Sequence, residues 1–114
     1  KAETESTELK AQLVQAYKEA MEDFDVAITA SSMDPACEIE DAEATERTYG
    51  RQARAPFNVL GAPALAVPTG FSSSGLPLSM QIVGKPFDEA VIYQVAHAYE
   101  QATDWTERRP PIAA

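Results

Sequence analysis

Cysteine occurs once in this chain, at Cys37, and histidine once, at His97. A lone cysteine excludes an internal disulfide framework and fits a reducing compartment, so a cytoplasmic protein is expected. No uninterrupted apolar run approaches the roughly 20 residues that a membrane span needs, and no signal-peptide pattern opens the chain, so no membrane partner is expected. Basic side chains are sparse as well: nine Lys and Arg stand against 18 Asp and Glu, giving a net charge of −9. Residues 1–50 hold 13 acidic and 4 basic side chains, whereas the remainder holds 5 of each. Nucleic-acid backbones and anionic lipid surfaces are met by clustered Lys and Arg, so neither is an expected partner. What is present is an ordinary apolar share of 45% in 114 residues, enough for one domain over residues 1–114. Lys1 in place of a methionine fits a chain whose upstream part lies elsewhere.

The chain is organised around residues 57–86, where Gly61, Pro63, Pro68, Gly70, Gly75, Pro77, Gly84 and Pro86 punctuate two apolar runs. Such punctuation bounds buried strands, which are predicted at 64–67 and 79–83. Leu78, Met80 and Ile82 share one face of the second strand, and Ser79, Gln81 and Val83 share the other. The nine residues 69–77 form a loop that returns antiparallel. Asp88 is placed to cap a helix over 88–104, with Val91, Ile92, Val95, Ala98, Tyr99 and Ala102 on its apolar face. Upstream, residues 1–6 are expected to fray. An amphipathic helix at 7–23 is expected to cover a core, followed by a strand at 25–29. The acidic segment 37–46 reads as a solvated loop or surface helix, and a helix over 45–54 ends where Pro56 disfavours helical backbone before it. Trp105 is expected to pack back onto the body. The architecture is therefore α/β, a mixed sheet with flanking helices.

No residue set here is suited to catalysis. Ser72-Ser73-Ser74 lies in the connecting loop, where serines serve turns. Lys1, Lys10, Lys18 and Lys85 read as surface charges, His97 projects from the polar face of its helix, and Cys37 follows a loop. Glu38, Glu40, Asp41, Glu43 and Glu46 lack the turn glycine and alternating spacing of a hard-cation loop, so no metal site is assigned. No cofactor is implied.

The order Phe57-Asn58, Gly61, Pro63-Ala64, Val67-Pro68, Gly70-Phe71, Gly75-Leu76-Pro77, Gln81, Val83-Gly84, Phe87-Asp88-Glu89 resembles the C-terminal end of amidase signature enzymes. Amide and carbamate hydrolases and the A subunit of glutamyl-tRNA amidotransferase belong to that family. The resemblance implies a C-terminal fragment of a larger amidase domain. Its partner would be the N-terminal catalytic portion, in the same or a separate chain, and the parent would be an amidohydrolase acting on linear or aryl amides. The family's serine nucleophile, relaying serine and desolvated lysine find no match in this chain, so the segment is expected to be inactive alone.

What the resemblance leaves to this segment is pocket wall, from loops at 30–39 and 49–60, with Met33, Tyr49, Arg51, Arg54, Phe57 and Asn58 as candidate substrate-binding residues. Asn58 also reads as a turn residue tying down backbone. Where glutamine-using members carry an acid seven positions before this Asn, Arg51 would repel an ammonium, which points away from a glutamine-dependent amidotransferase and toward a neutral or carboxylate-bearing amide. A bare sheet edge and apolar face would favour a homo-oligomer. The alternative is a stand-alone, non-catalytic assembly or ligand-binding module that retains the fold.

Overall fold

The computed structural model describes residues 1–112. Helix α1 spans Ala2–Ala20, strand β1 Val26–Ala30, helices α2 and α3 Ala42–Tyr49 and Ala55–Leu60, strands β2 and β3 Ala64–Phe71 and Pro77–Gly84, and helix α4 Glu89–Gln101. A 3₁₀ turn at Trp105–Glu107 follows. The α/β class with flanking helices holds. The three strands form one sheet in the order β1-β3-β2 and are antiparallel throughout, where a mixed sheet was expected. The short return makes β2 and β3 antiparallel, and the difference from expectation lies in β1, which pairs antiparallel with the central strand β3. In that return, Ser72 Oγ accepts from the Leu76 N–H at 3.1 Å, and the Ser72 N–H donates to the Leu76 carbonyl at 2.8 Å. The serine run is turn chemistry, as its composition implied.

The core sits between one sheet face and α4. Ile82 is fully buried and packs with Ile92 and Ala96, and Val26, Leu65, Val67, Met80 and Val95 close around them. Gly84 ends β3 beneath α4, where a Cβ would stand 2.9 Å from two carbons of Ile92. The sheet therefore reaches the helix only because residue 84 has no side chain. At the other end, Pro68 lies in an edge strand, where its missing N–H costs no ladder bond, and the register shifts between Pro68 and Gly70. The Trp105 ring lies 3.6 Å from where a Gly70 Cβ would be and meets Phe71 edge-on at 6.2 Å. Arg108 stacks over the Trp105 ring at 4.8 Å. Trp105 thus packs back onto the body.

Several boundaries differ from those the sequence predicts. Helix α1 begins at Ala2, so residues 2–6 are helical, and it ends at Ala20. None of its residues is buried, and its apolar stripe covers no core of this chain: Leu9 and Leu13 are exposed. It is held at its C-terminal end instead, where Met21 is buried and the Tyr17 hydroxyl donates to the Gly84 carbonyl at 2.7 Å. The helix expected over 45–54 is α2, which starts earlier and stops at Tyr49; a separate short helix, α3, follows beyond the predicted span, and Pro56 occupies its first turn. Asp41 caps α2 by accepting from the Ala44 N–H at 2.9 Å. Asp88 precedes α4 without making a side-chain cap.

Six apolar side chains are buried among the described residues, and the radius of gyration is 17.0 Å. A compact domain of this length has a value of about 13 Å. Phe24 is 61% exposed and Phe87 97% exposed, the latter on a backbone with φ of 65° that a phenylalanine rarely adopts. No helix among the described residues is long and apolar enough to cross a membrane.

Candidate functional site

Beyond the end of β1 the chain turns through Ser31 to Cys37 and faces the last turn of α2 and the residues before α3. Together with the start of β3 these segments enclose a cleft of roughly 750 Å³. Gln81 holds two of its walls together from beneath. Its side chain is buried on the sheet face opposite α4, and Nε2 lies 2.8 Å from Thr29 Oγ1, 3.2 Å from the Ala30 carbonyl and 3.1 Å from the Ala53 carbonyl. One amide thus ties the end of β1 to the segment bearing Gln52 and Arg54.

A second tie crosses above. The Met33 N–H donates to the Arg51 carbonyl at 3.3 Å, and Arg51 Nε forms an ion pair with Asp34 Oδ2 at 2.8 Å. Half of the Arg51 side chain is exposed, so the pair contributes at most about 1 kcal/mol, but it fixes where the Arg51 charge is spent. Arg51 therefore offers no bare charge to repel an ammonium, because Asp34 already neutralises it.

Of the six candidate residues, Met33 and Arg54 line the cleft. Arg51 braces it from outside the lining. Tyr49 is exposed and turned away, and Asn58 is exposed within α3, preceding Gly61, which caps that helix in the left-handed conformation. Phe57 packs edge-on against Tyr17 at 6.3 Å and so joins α3 to α1. Within this chain its position is structural. Gln52, which the residue pattern does not single out, lines the cleft; its Oε1 is buried without a hydrogen-bond partner among the described residues, while Nε2 donates to the Thr48 carbonyl at 3.3 Å. Its only sequence signal was a place between two arginines.

Cys37 also faces the cleft, half-buried, with Sγ 3.6 Å from Thr45 Oγ1 and 3.8 Å from Thr48 Oγ1. Those hydroxyls hold the thiol below its ordinary pKa. Alkylation by iodoacetamide followed against pH is therefore expected to give an apparent pKa below that of a free cysteine, and Thr45→Val is expected to move it upward. An unshifted profile in both proteins would contradict this. No group of three or more His, Cys, Asp or Glu side chains placed to hold a metal ion occurs among the described residues. Ser72 Oγ and Ser74 Oγ bond each other at 2.8 Å in the β2–β3 turn, with no lysine or histidine in that pairing.

Three antiparallel strands between helices, with a cleft at one end of the sheet, define an α/β fold shared with amide-bond hydrolases of known structure. The chain superposes on the A subunit of glutamyl-tRNA(Gln) amidotransferase from Thermotoga maritima with a TM-score of 0.77 at 26% identity, covering 84% of this chain and 21% of that one. It superposes on 6-aminohexanoate cyclic dimer hydrolase with a TM-score of 0.72 at 29% identity, covering 95% and 25%. The chain belongs to the amidase family, whose sequence model matches residues 1–92. Among curated relatives, the A subunit of glutamyl-tRNA(Gln) amidotransferase from Lysinibacillus sphaericus is 45% identical over 98 residues, 84% of this chain. The chain spans about a fifth of the length of the curated relatives it matches.

Proposed function

We propose that these 114 residues are the C-terminal segment of an amidase signature hydrolase that cleaves linear or aryl amides. In this reading the segment supplies sheet and pocket wall and is inactive alone. Two facts support it: the chain spans about a fifth of its relatives' length, and Leu9, Leu13, Phe24 and Phe87 are exposed. The α1 stripe, Phe24 and Phe87 are then interfaces with the N-terminal catalytic portion, in the same or a separate chain, and that portion carries the Ser-Ser-Lys set. Within the wall, Met33 and Arg54 meet substrate and Arg51 braces the loop through Asp34. Tyr49, Phe57 and Asn58 are candidates only against surfaces that the catalytic portion would bring. The assembled enzyme is a cytoplasmic homo-oligomer in which exposed strand edges are paired.

The test is the intact mass of the polypeptide from its native source, together with anilide hydrolysis by that polypeptide and by the 114 residues alone. A chain several times longer that hydrolyses anilides, beside an inactive short chain, is the expected result. A native species of 114 residues, or activity in the short chain, would overturn it. A second reading, a glutamine-using amidotransferase, is favoured by the 45% identity to the Lysinibacillus protein, and the neutralised Arg51 no longer opposes it. Glutaminase activity without anilide hydrolysis would select that reading.

A further inference from the structure

The cleft holds three ionisable side chains, Asp34, Cys37 and Arg54. Asp34 is charge-paired with Arg51 at 2.8 Å, a contact without the alignment of a hydrogen bond. Arg54 makes no ion pair among the described residues, and it sits at the turn that opens α3, exposed at the cleft wall. The cleft therefore presents one unneutralised cation with a planar, fork-like array of donors, a form suited to a carboxylate. Two residues earlier, the buried Gln52 Oε1 has no donor among the described residues. An unmatched buried acceptor is costly, and a turn of the Gln52 side chain toward the cleft would let a ligand N–H relieve it. Met33, Leu78 and Met80 supply apolar wall beside them.

We infer that Arg54 selects amides whose end remote from the scissile bond carries a carboxylate, while Gln52 accepts a hydrogen bond from an N–H of the same ligand. The inference rests on the reading of this chain as part of an amide hydrolase. The expected ligand has three parts: an anionic end at Arg54, an N–H at Gln52 and a short hydrocarbon body against Met33, Leu78 and Met80. Arg51 takes no part in recognition, because its charge is spent on Asp34.

The test compares succinanilate with pentananilide, a neutral anilide of similar length, on the complete polypeptide that carries these residues. Arg54→Met is expected to lower the ratio of kcat/KM for the two by about 10- to 100-fold, mainly through KM, as loss of a charge-assisted contact does. Arg54→Lys recovers part of the ratio. Both substrates are read on one protein preparation, so a loss of folded enzyme cancels. Gln52→Met, which removes the acceptor, lowers kcat/KM for both anilides and leaves their ratio in place. A ratio within twofold of the wild type in Arg54→Met overturns the assignment. If the wild-type polypeptide hydrolyses neither anilide, the hydrolase reading fails, and Arg54 is judged by equilibrium binding of succinanilate. There, a Kd raised at least tenfold by Arg54→Met upholds it, and an unchanged Kd or no binding to the wild type overturns it.

Discussion

Replacing Ile82 by alanine is expected to lower the unfolding free energy of this chain by about 2–5 kcal/mol. Ile82 is fully buried on the central strand, opposite Ile28 on one side and Leu65 on the other, and it packs against α4 through the buried Ile92 and Ala96. Of the side chains around such a cavity, Ile92 has little room to move, because it already packs closely over Gly84. Domain stability is typically about 5–15 kcal/mol, so a loss of that size is a large share of the total in a core this thin. Urea denaturation followed by far-UV circular dichroism checks the effect. A change below about 1 kcal/mol would mean that the Ile82 layer is not what holds α4 to the sheet.

Gln81→Met carries the second large effect, and it connects stability to the cleft. Methionine keeps the volume of glutamine but removes the amide that joins Thr29, the Ala30 carbonyl and the Ala53 carbonyl. The expected cost is about 1–3 kcal/mol, since the Ala53 carbonyl loses its partner in a place largely closed to water. The segment before α3 then keeps the Met33–Arg51 backbone bond and the Arg51–Asp34 pair, both to the loop after β1. Hydrogen exchange at the Ala55 amide, which donates to the Gln52 carbonyl, should accelerate relative to amides of α4. Selection between succinanilate and pentananilide should weaken in parallel, because Arg54 rides on the loosened segment. Unchanged exchange at Ala55 with unchanged stability would show that Gln81 is not the tie.

The proposed role of Arg54 also accounts for the two arginines behaving differently though only three positions apart. Arg51 points back to the loop after β1 and meets Asp34; Arg54 stands at the turn into α3 and forms no ion pair among the described residues. Spacing alone does not separate them. Only the loop that brings Asp34 across from residues 31–37 does so, and that loop is positioned by β1 pairing with β3, more than fifty residues away in sequence.

The local pieces were legible in the order of residues alone. Prolines and glycines located β2 and β3 but not their ends, since β2 runs on through Pro68 and Gly70 along the sheet edge, where a missing N–H is tolerated, and β3 includes Pro77 and Gly84; the 3.6-residue period of Ile92, Val95 and Tyr99 marked α4. The amidase family was legible in residues 57–89. Long-range packing settled what remained, because periodicity states that a face is apolar without stating what covers it. Thus α1 shows a stripe of apolar residues that this chain leaves bare, and the neighbours of β3 could not be read from any one strand. The site followed the same rule: Gln81 looked like a polar residue on a mixed face, Gln52 like a surface residue and Arg51 like a free charge. Gln81 and Arg51 took their roles from partners remote in sequence, and Gln52 from burial of its Oε1, none of which side-chain identity alone names.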